Sequence, residues 1–260
     1  MNDILCPTDL TPASGTALHY AAALGAQLNA SITLLHVVDK EPRSAEVLHQ
    51  AAELVGSESG GRTVREVLRS GDPLDQIARE SAHGHSFMVC ATHGPRGLRQ
   101  SLLGADILKL VRRSAVPTLV VQEHSPVPVA LKRIVMPVAS HSDADKLIEA
   151  VARLAKVCGS SVEVYQVMRP GDQPSEHLLT NKVMMLQRLE AVGVPVKEVN
   201  EPSTVFSAGF AEQTIRHAHE AGAGCIAIMA HASDDHRWIA DAEKERVLTN
   251  AHGIPVLCVP

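Results

Sequence analysis

Three short segments hold the residue types from which a site for an anionic ligand can be built: Pro7-Thr8-Asp9, His36-Val37-Val38-Asp39 and Ala91-Thr92-His93-Gly94. The carboxylate of Asp9 can accept hydrogen bonds from a ligand's hydroxyl or amino groups. From Gly94 the chain runs Pro95-Arg96-Gly97-Leu98-Arg99-Gln100-Ser101-Leu102-Leu103 to Gly104-Ala105, where a helical pattern begins. Glycines let backbone N–H groups approach an anion closely, and a new helix directs its positive end at the same place. Arg96 and Arg99 can add charge there, although solvated loop arginines are equally consistent with the sequence. The spacing suits a phosphate cradle. It is neither GxxxxGK[ST] nor GxGxxG.

These segments need elements to bring them together. Ile4-Leu5-Cys6 reads as a buried strand stopped by Pro7. Thr11-Pro12 reads as an N-cap with proline at the first helical position. Leu18, Ala21, Ala22, Gly25 and Leu28 form the apolar stripe of the helix that follows. Strands are expected at 31–38, 63–68, 87–91 and 118–121, with helices at 43–55, from Asp72-Pro73 onward, and at 105–113. Apolar strands alternating with helices imply a parallel sheet covered on both faces. In such sheets ligands bind outside the carboxyl ends of the strands, where the strand order reverses.

The second half repeats the first. Ile4-Leu5-Cys6-Pro7 returns as Ile134-Val135-Met136-Pro137 and Leu35-His36-Val37 as Tyr165-Gln166-Val167, both 130 residues later. Val116-Pro117-Thr118-Leu119-Val120-Val121 returns as Ile254-Pro255-Val256-Leu257-Cys258-Val259, and His93 as His231, both 138 residues later. Constant offsets mark a duplicated domain. The division expected is 1–122, a Pro-punctuated linker at 123–132, and 133–260, with strands near 133–138, 161–168, 195–199, 225–230 and 255–259. The extra residues fall mostly around 201–209.

Composition excludes several classes. The 45% apolar content supplies a core for each half, and a net charge of −5 with one Trp, two Tyr and three Phe argues against a nucleic-acid platform. No apolar run approaches the roughly 20 residues that cross a bilayer. Met1-Asn2-Asp3 has no basic n-region, so no signal peptide is expected. Five cysteines without CxxC spacing suit a reducing cytoplasm. Cys6 and Cys90, on neighbouring strands, read as small buried hydrophobes. Among fourteen histidines, His83-Gly84-His85 and His217-Ala218-His219 invite a metal, but i and i+2 on a helix face different ways. No metal site and no nucleophile–base–orienter set is expected.

Taken in order and spacing, these motifs resemble the universal stress protein family over nearly the whole chain, as a tandem pair. The family's landmarks are a Pro-Thr-Asp after the first strand, Leu-His-Val in the second, and a phosphate loop written Gly-x-x-Gly, nine residues, Gly-Ser/Thr, ahead of a helix and a last apolar strand. Pro7-Thr8-Asp9, Leu35-His36-Val37, His93-Gly94 with nine residues to Gly104, and Pro117–Val121 match. The resemblance implies two tandem doubly wound α/β domains with five-stranded parallel sheets, packed as an intramolecular pseudo-dimer through their fifth strands, the whole a monomer or a homodimer. It implies that Asp9 and the backbone at Val37 hold the adenine-ribose end of ATP or AMP. The segment from Ala91, Thr92, His93, Gly94 and Arg96 to Gly104 and Ala105 would hold the phosphates. Magnesium is left open.

The departures matter as much. Ala91 stands for the loop's first glycine and Ala105 for its terminal Ser/Thr. A lost hydrogen bond to a charged phosphate is worth roughly 1.5–3 kcal/mol, so binding in the first half is expected to be weakened. In the second half Ala139 replaces Asp9, Met229 replaces Ala91, Ala232 replaces Gly94, Ala242 replaces Gly104 and Glu243 replaces Ala105. A carboxylate ~4 Å from a phosphate repels it by ~1 kcal/mol in water and ~4 at an effective dielectric of 20. The second half is expected not to bind. The leading expectation is a cytoplasmic, nucleotide-responsive binding or regulatory protein of the stress response, with an unknown protein partner. The alternatives are a scaffold acting through protein contacts without nucleotide, and a weak ATP hydrolase using Asp9 or His93. Asp9 also stands where it can shape a turn.

Overall fold

Asp3–Pro7 (β1) is buried at every position, and its apolar run accounts for a strand covered on both faces. It opens a computed structural model that describes residues 2–38, 44–92, 106–127, 129–168, 171, 173–203, 210–231 and 237–260. The chain divides into two compact units, Met1–Val129 and Ala130–Val259. In the first, β1 leads to Pro12–Leu28 (α1), Ser31–Val38 (β2), Ser44–Glu58 (α2), Val64–Ser70 (β3), Pro73–Ser81 (α3), Phe87–Thr92 (β4), Ile107–Arg113 (α4) and Thr118–Gln122 (β5). All pairings are parallel, in the order β3-β2-β1-β4-β5. Contacts join α1 to α2 and α3 to α4. With right-handed crossovers, α1 and α2 therefore cover one face and α3 and α4 the other.

Most expected elements are present, with ends moved by a few residues. The stripe on α1 is broader than expected: Ala17, Tyr20 and Leu24 are buried beside Leu18, Ala21 and Ala22, while Leu28 is only half-buried. A Cβ at Gly25 would lie 2.7 Å from Ile32 Cδ1, so this glycine lets α1 sit close on β2. Asp72 caps α3 by accepting from Asp75 N at 2.9 Å. Thr11 occupies the cap position of α1 but makes no side-chain cap bond; its hydroxyl is committed elsewhere. The start of the expected linker packs on α1, where Thr16 Oγ1 donates to Glu123 O (3.0 Å) and Tyr20 Oη to Pro126 O (2.8 Å).

The second unit repeats the plan with Arg133–Pro137 (β6), Ala144–Cys158 (α5), Ser161–Met168 (β7), Glu176–Ala191 (α6), Val196–Pro202 (β8), Phe210–Glu220 (α7), Cys225–Met229 (β9), Arg237–Leu248 (α8) and Val256–Val259 (β10). Its parallel sheet has the order β10-β9-β6-β7-β8. All five cysteines are buried, and none is in a disulfide. Burial pushes the thiols of Cys6 and Cys225 up to about 12, which makes them poor nucleophiles. No helix among the described residues is long and apolar enough to cross a membrane.

Candidate functional site

β1 pairs with β2 over five residues, from Asp3↔Ser31 to Pro7↔Leu35, but with β4 only at Ile4↔Phe87 and Leu5↔Met88. β4 meanwhile stays in register with β5 from Met88↔Thr118 to Thr92↔Gln122. The sheet therefore forks between β1 and β4 toward its carboxyl edge. This is the place where the strand order reverses, the crevice that binds ligands in open α/β sheets.

The turn after β1 is held from several directions. Thr8 is buried; its N–H donates to Leu35 O (2.9 Å), and its hydroxyl donates to Ser14 Oγ (2.9 Å) and accepts from Leu10 N (3.1 Å). His36 Nδ1 lies 2.8 Å from Thr8 O. A carbonyl only accepts, so Nδ1 carries the proton. Leu10 is left-handed, with φ of 61°, which costs about 1–2 kcal/mol for a residue with a Cβ. Asp9 Oδ1 accepts from Thr11 N (3.1 Å) and Thr11 Oγ1 (2.6 Å). That leaves Oδ2 of this half-buried side chain without a partner among the described residues.

Val37 contributes backbone. Ser31 N bonds to Asn2 O and Ile32 N to Thr63 O, so odd-numbered residues of β2 direct their peptide groups toward β1 and even-numbered ones toward β3. Two residues past the end of the β1 pairing, Val37 N–H and C=O point to the side that β1 has left. Sequence alone does not reveal this orientation. At the end of β4, Ala91 and Thr92 are buried, and Thr92 Oγ1 has no hydrogen-bond partner among the described residues. Such a group is costly to leave unpaired. Pro7, Thr8, Asp9, Val37, Ala91 and Thr92 thus lie at the carboxyl ends of β1, β2 and β4. His93, Gly94, Arg96, Gly104 and Ala105 lie outside the described residues.

The second unit has the same fork, with β6 meeting β9 only at Ile134↔Cys225 and Val135↔Ile226, but different chemistry. Ala139 follows β6, and its turn is pinned by Asn181 Nδ2, 2.9 Å from both Ala139 O and His141 O. Glu243, expected to repel a phosphate, is engaged within the chain. Its Oε2 accepts from Ala211 N at 2.8 Å, satisfying the positive N-terminus of α7. Beside it, buried Lys244 donates to Met229 O (2.7 Å) and His231 O (2.6 Å) at the end of β9. This lysine was not singled out in the sequence, where it reads as one charge in an exposed helix.

The universal stress protein family profile matches residues 1–122. The first unit is thereby a universal stress protein domain. Among solved structures it is similar to a universal stress protein from Archaeoglobus fulgidus, at 20% identity over 99% of this chain and 95% of that one, with a TM-score of 0.73. It is also similar to a protein of unknown function from Pseudomonas aeruginosa (19%, 99% and 92%, TM-score 0.67). A third likeness is to the cytoplasmic domain of a prokaryotic cation chloride cotransporter (12%, 99% and 94%, TM-score 0.54). At these identities the likeness concerns the fold. No curated relative matches the sequence.

Away from the crevice, the chain carries two buried charge clusters, one in each unit. In the first unit His85 Nδ1 approaches Asp3 Oδ2 at 2.5 Å and Nε2 approaches Glu80 Oε1 at 3.6 Å, while Arg69 reaches Glu80 at 3.2 Å. In the second, His217 lies between Glu163 (2.7 Å) and Glu201 (2.8 Å), stacked on Tyr165, and Lys197 and Arg133 also reach Glu163. Burial pushes the Asp3 and Glu163 carboxyls up, but the contacts from His85, Ser31 and Thr33 in one case, and His217 and Lys197 in the other, outweigh it. Both end below the ordinary carboxylate range. At equivalent register positions of the two sheets the charges are exchanged: Asp3 for Arg133 and Arg69 for Glu201. The clusters anchor α3 and α7 to their sheets.

Proposed function

We propose that the first unit binds an adenosine nucleotide, ATP or AMP, in the crevice between β1 and β4, and that the chain acts as a nucleotide-responsive regulatory protein in a stress response. One observation carries this reading. Hydrogen-bonding groups of three kinds lie at the strand ends around one fork: the Val37 backbone N–H and C=O, and Asp9 Oδ2 and Thr92 Oγ1, the last two without a partner among the described residues. A donor–acceptor pair on one peptide suits the edge of an adenine, and a free carboxylate oxygen suits ribose hydroxyls. Family membership supports the same assignment.

Binding is weak and confined to the first unit in this reading. Ala91 and Ala105 stand where the family has glycine and a hydroxyl. In the second unit the carboxylate of Asp9 has no counterpart, and the buried side chains of Glu243 and Lys244 are already engaged within the chain. The same losses favour the second reading, a scaffold acting through protein contacts. Mass spectrometry of co-purified nucleotide, followed by calorimetry with ATP and AMP, separates the two. Nucleotide in the parent, lost in Asp9→Ala, supports binding; neither co-purified nor added nucleotide bound by the parent supports the scaffold.

A further inference from the structure

In the first unit the end of α3 is tied to the turn before β5 by a hydrogen bond from Ala115 N to Ser81 Oγ, 2.9 Å long. The offset of 138 places His219 and Gly253 at these positions, so the second unit has no hydroxyl to make that tie. His219 instead meets His252, the residue before Gly253. Their rings stack with centroids 3.8 Å apart and planes 17° from parallel.

Both histidines are exposed, and neither ring has a hydrogen-bond or ion-pair partner among the described residues. This sets them apart from His19, His49 and His217, each of which faces a carboxylate. Their backbones are firmly placed. His219 ends α7, where Gly222 N returns to His219 O (3.0 Å) and Ala223 N to Ala218 O (2.8 Å). His252 lies in a turn closed by buried Asn250, which donates to Val247 O (3.0 Å) and Ile254 O (2.8 Å) and accepts from Ile254 N (2.9 Å).

We propose that His219 and His252 form a two-histidine site for a divalent transition-metal ion of the zinc, nickel or copper class, joining the end of α7 to the turn that leads into β10. Neutral imidazole is a ligand suited to these ions. Two nitrogens on one tetrahedral zinc stand about 3.3 Å apart, from bonds of about 2.0–2.1 Å. A shared ion must lie in both ring planes, so the two rings turn out of their stack and their centres part to about 5 Å, a reorientation that solvent exposure permits. Water completes the coordination. Two ligands on rigid backbone lose little conformational freedom on binding, which favours a real site over a chance surface histidine.

The test is zinc calorimetry on the full chain, with copper electron paramagnetic resonance as a second readout. The parent should show one tightest site with two nitrogen ligands, and zinc should raise its melting temperature by mass action. His219→Ala and His252→Ala should each weaken that site by at least the roughly tenfold to hundredfold that loss of a mere supporting partner costs. His177→Ala, another exposed histidine, should leave it unchanged. Far-ultraviolet circular dichroism of the metal-free variants shows that they are folded. The proposal is overturned if the parent has no such site, or if either variant keeps the parent's affinity and copper spectrum.

Discussion

Thr11 gives both its backbone N–H and its hydroxyl to a single oxygen of Asp9, at 3.1 and 2.6 Å. The carboxylate is thereby divided: Oδ1 builds the turn, and Oδ2 has no partner among the described residues. Shaping a turn and holding a ligand are not competing roles for this residue, because each falls to a different atom.

That division predicts a separation of effects at Asp9. Asp9→Asn keeps an acceptor for Thr11 but places an NH₂ donor where Oδ2 was, so it should lose nucleotide affinity with little change in melting temperature. Asp9→Ala removes both and should also lower stability by about 1 kcal/mol. Calorimetry and thermal melts on the two variants check this; equal melting losses would show that the turn depends on the charge itself.

Repairing the phosphate loop should improve binding. Ala91→Gly with Ala105→Ser restores one charge-assisted hydrogen bond, worth roughly 1.5–3 kcal/mol, or about tenfold to a hundredfold in ATP affinity. AMP should gain less than ATP, since the new hydroxyl is expected near the outer phosphates. A double variant that binds ATP no better than the parent would move the scaffold reading to first place.

Acid should destabilise the protein through its buried carboxylates. Asp3, Glu80, Glu163 and Glu201 are all held below the ordinary 3.8 of aspartate and 4.5 of glutamate. A folded pKa below the unfolded one means stability that is complete above the unfolded value and is lost as pH falls through the folded one. Urea midpoints should therefore change little from about pH 7 to 5 and drop below about pH 4. Glu163→Gln should cost roughly 1.5–3 kcal/mol at neutral pH and make the acid drop shallower.

Gly224 tests the packing of the second unit. A Cβ there would collide with the backbone oxygen of Ala130 and lie 2.9 Å from Leu131 Cα. Backbone cannot rotate away as a side chain can, so Gly224→Ala should destabilise by about 3 kcal/mol or more, read from urea denaturation. Gly15→Ala, with nothing within 4 Å of the new methyl, should be stabilising or neutral.

Local pattern made much of the fold legible. Ser31–Val38 was found to the residue because its apolar run contrasts with its neighbours, and Asp72-Pro73 announced α3 because cap and proline act within one turn. The duplication was visible because constant offsets survive where individual residues do not. The fork was only half legible. Pro7-Thr8-Asp9 and Ala91-Thr92 could be placed at strand ends, but the early end of the β1–β4 pairing depends on strands far apart in the chain.

What the sequence by itself determined is the order of elements, the two-fold repeat and the residue types offered at the strand ends, since periodicity and capping act over a few residues. Only the tertiary structure decided which of those groups are already used. Glu243 satisfies the N-terminus of α7, a partner 32 residues away in sequence. His217, set aside as a metal ligand, holds Glu163 from 54 residues away. His219 was set aside with it as a wrongly spaced neighbour, and it meets His252 across a turn. A hydrogen bond or ion pair acts over about 3 Å of space whatever the separation in sequence, so its partners appear only when the chain has folded.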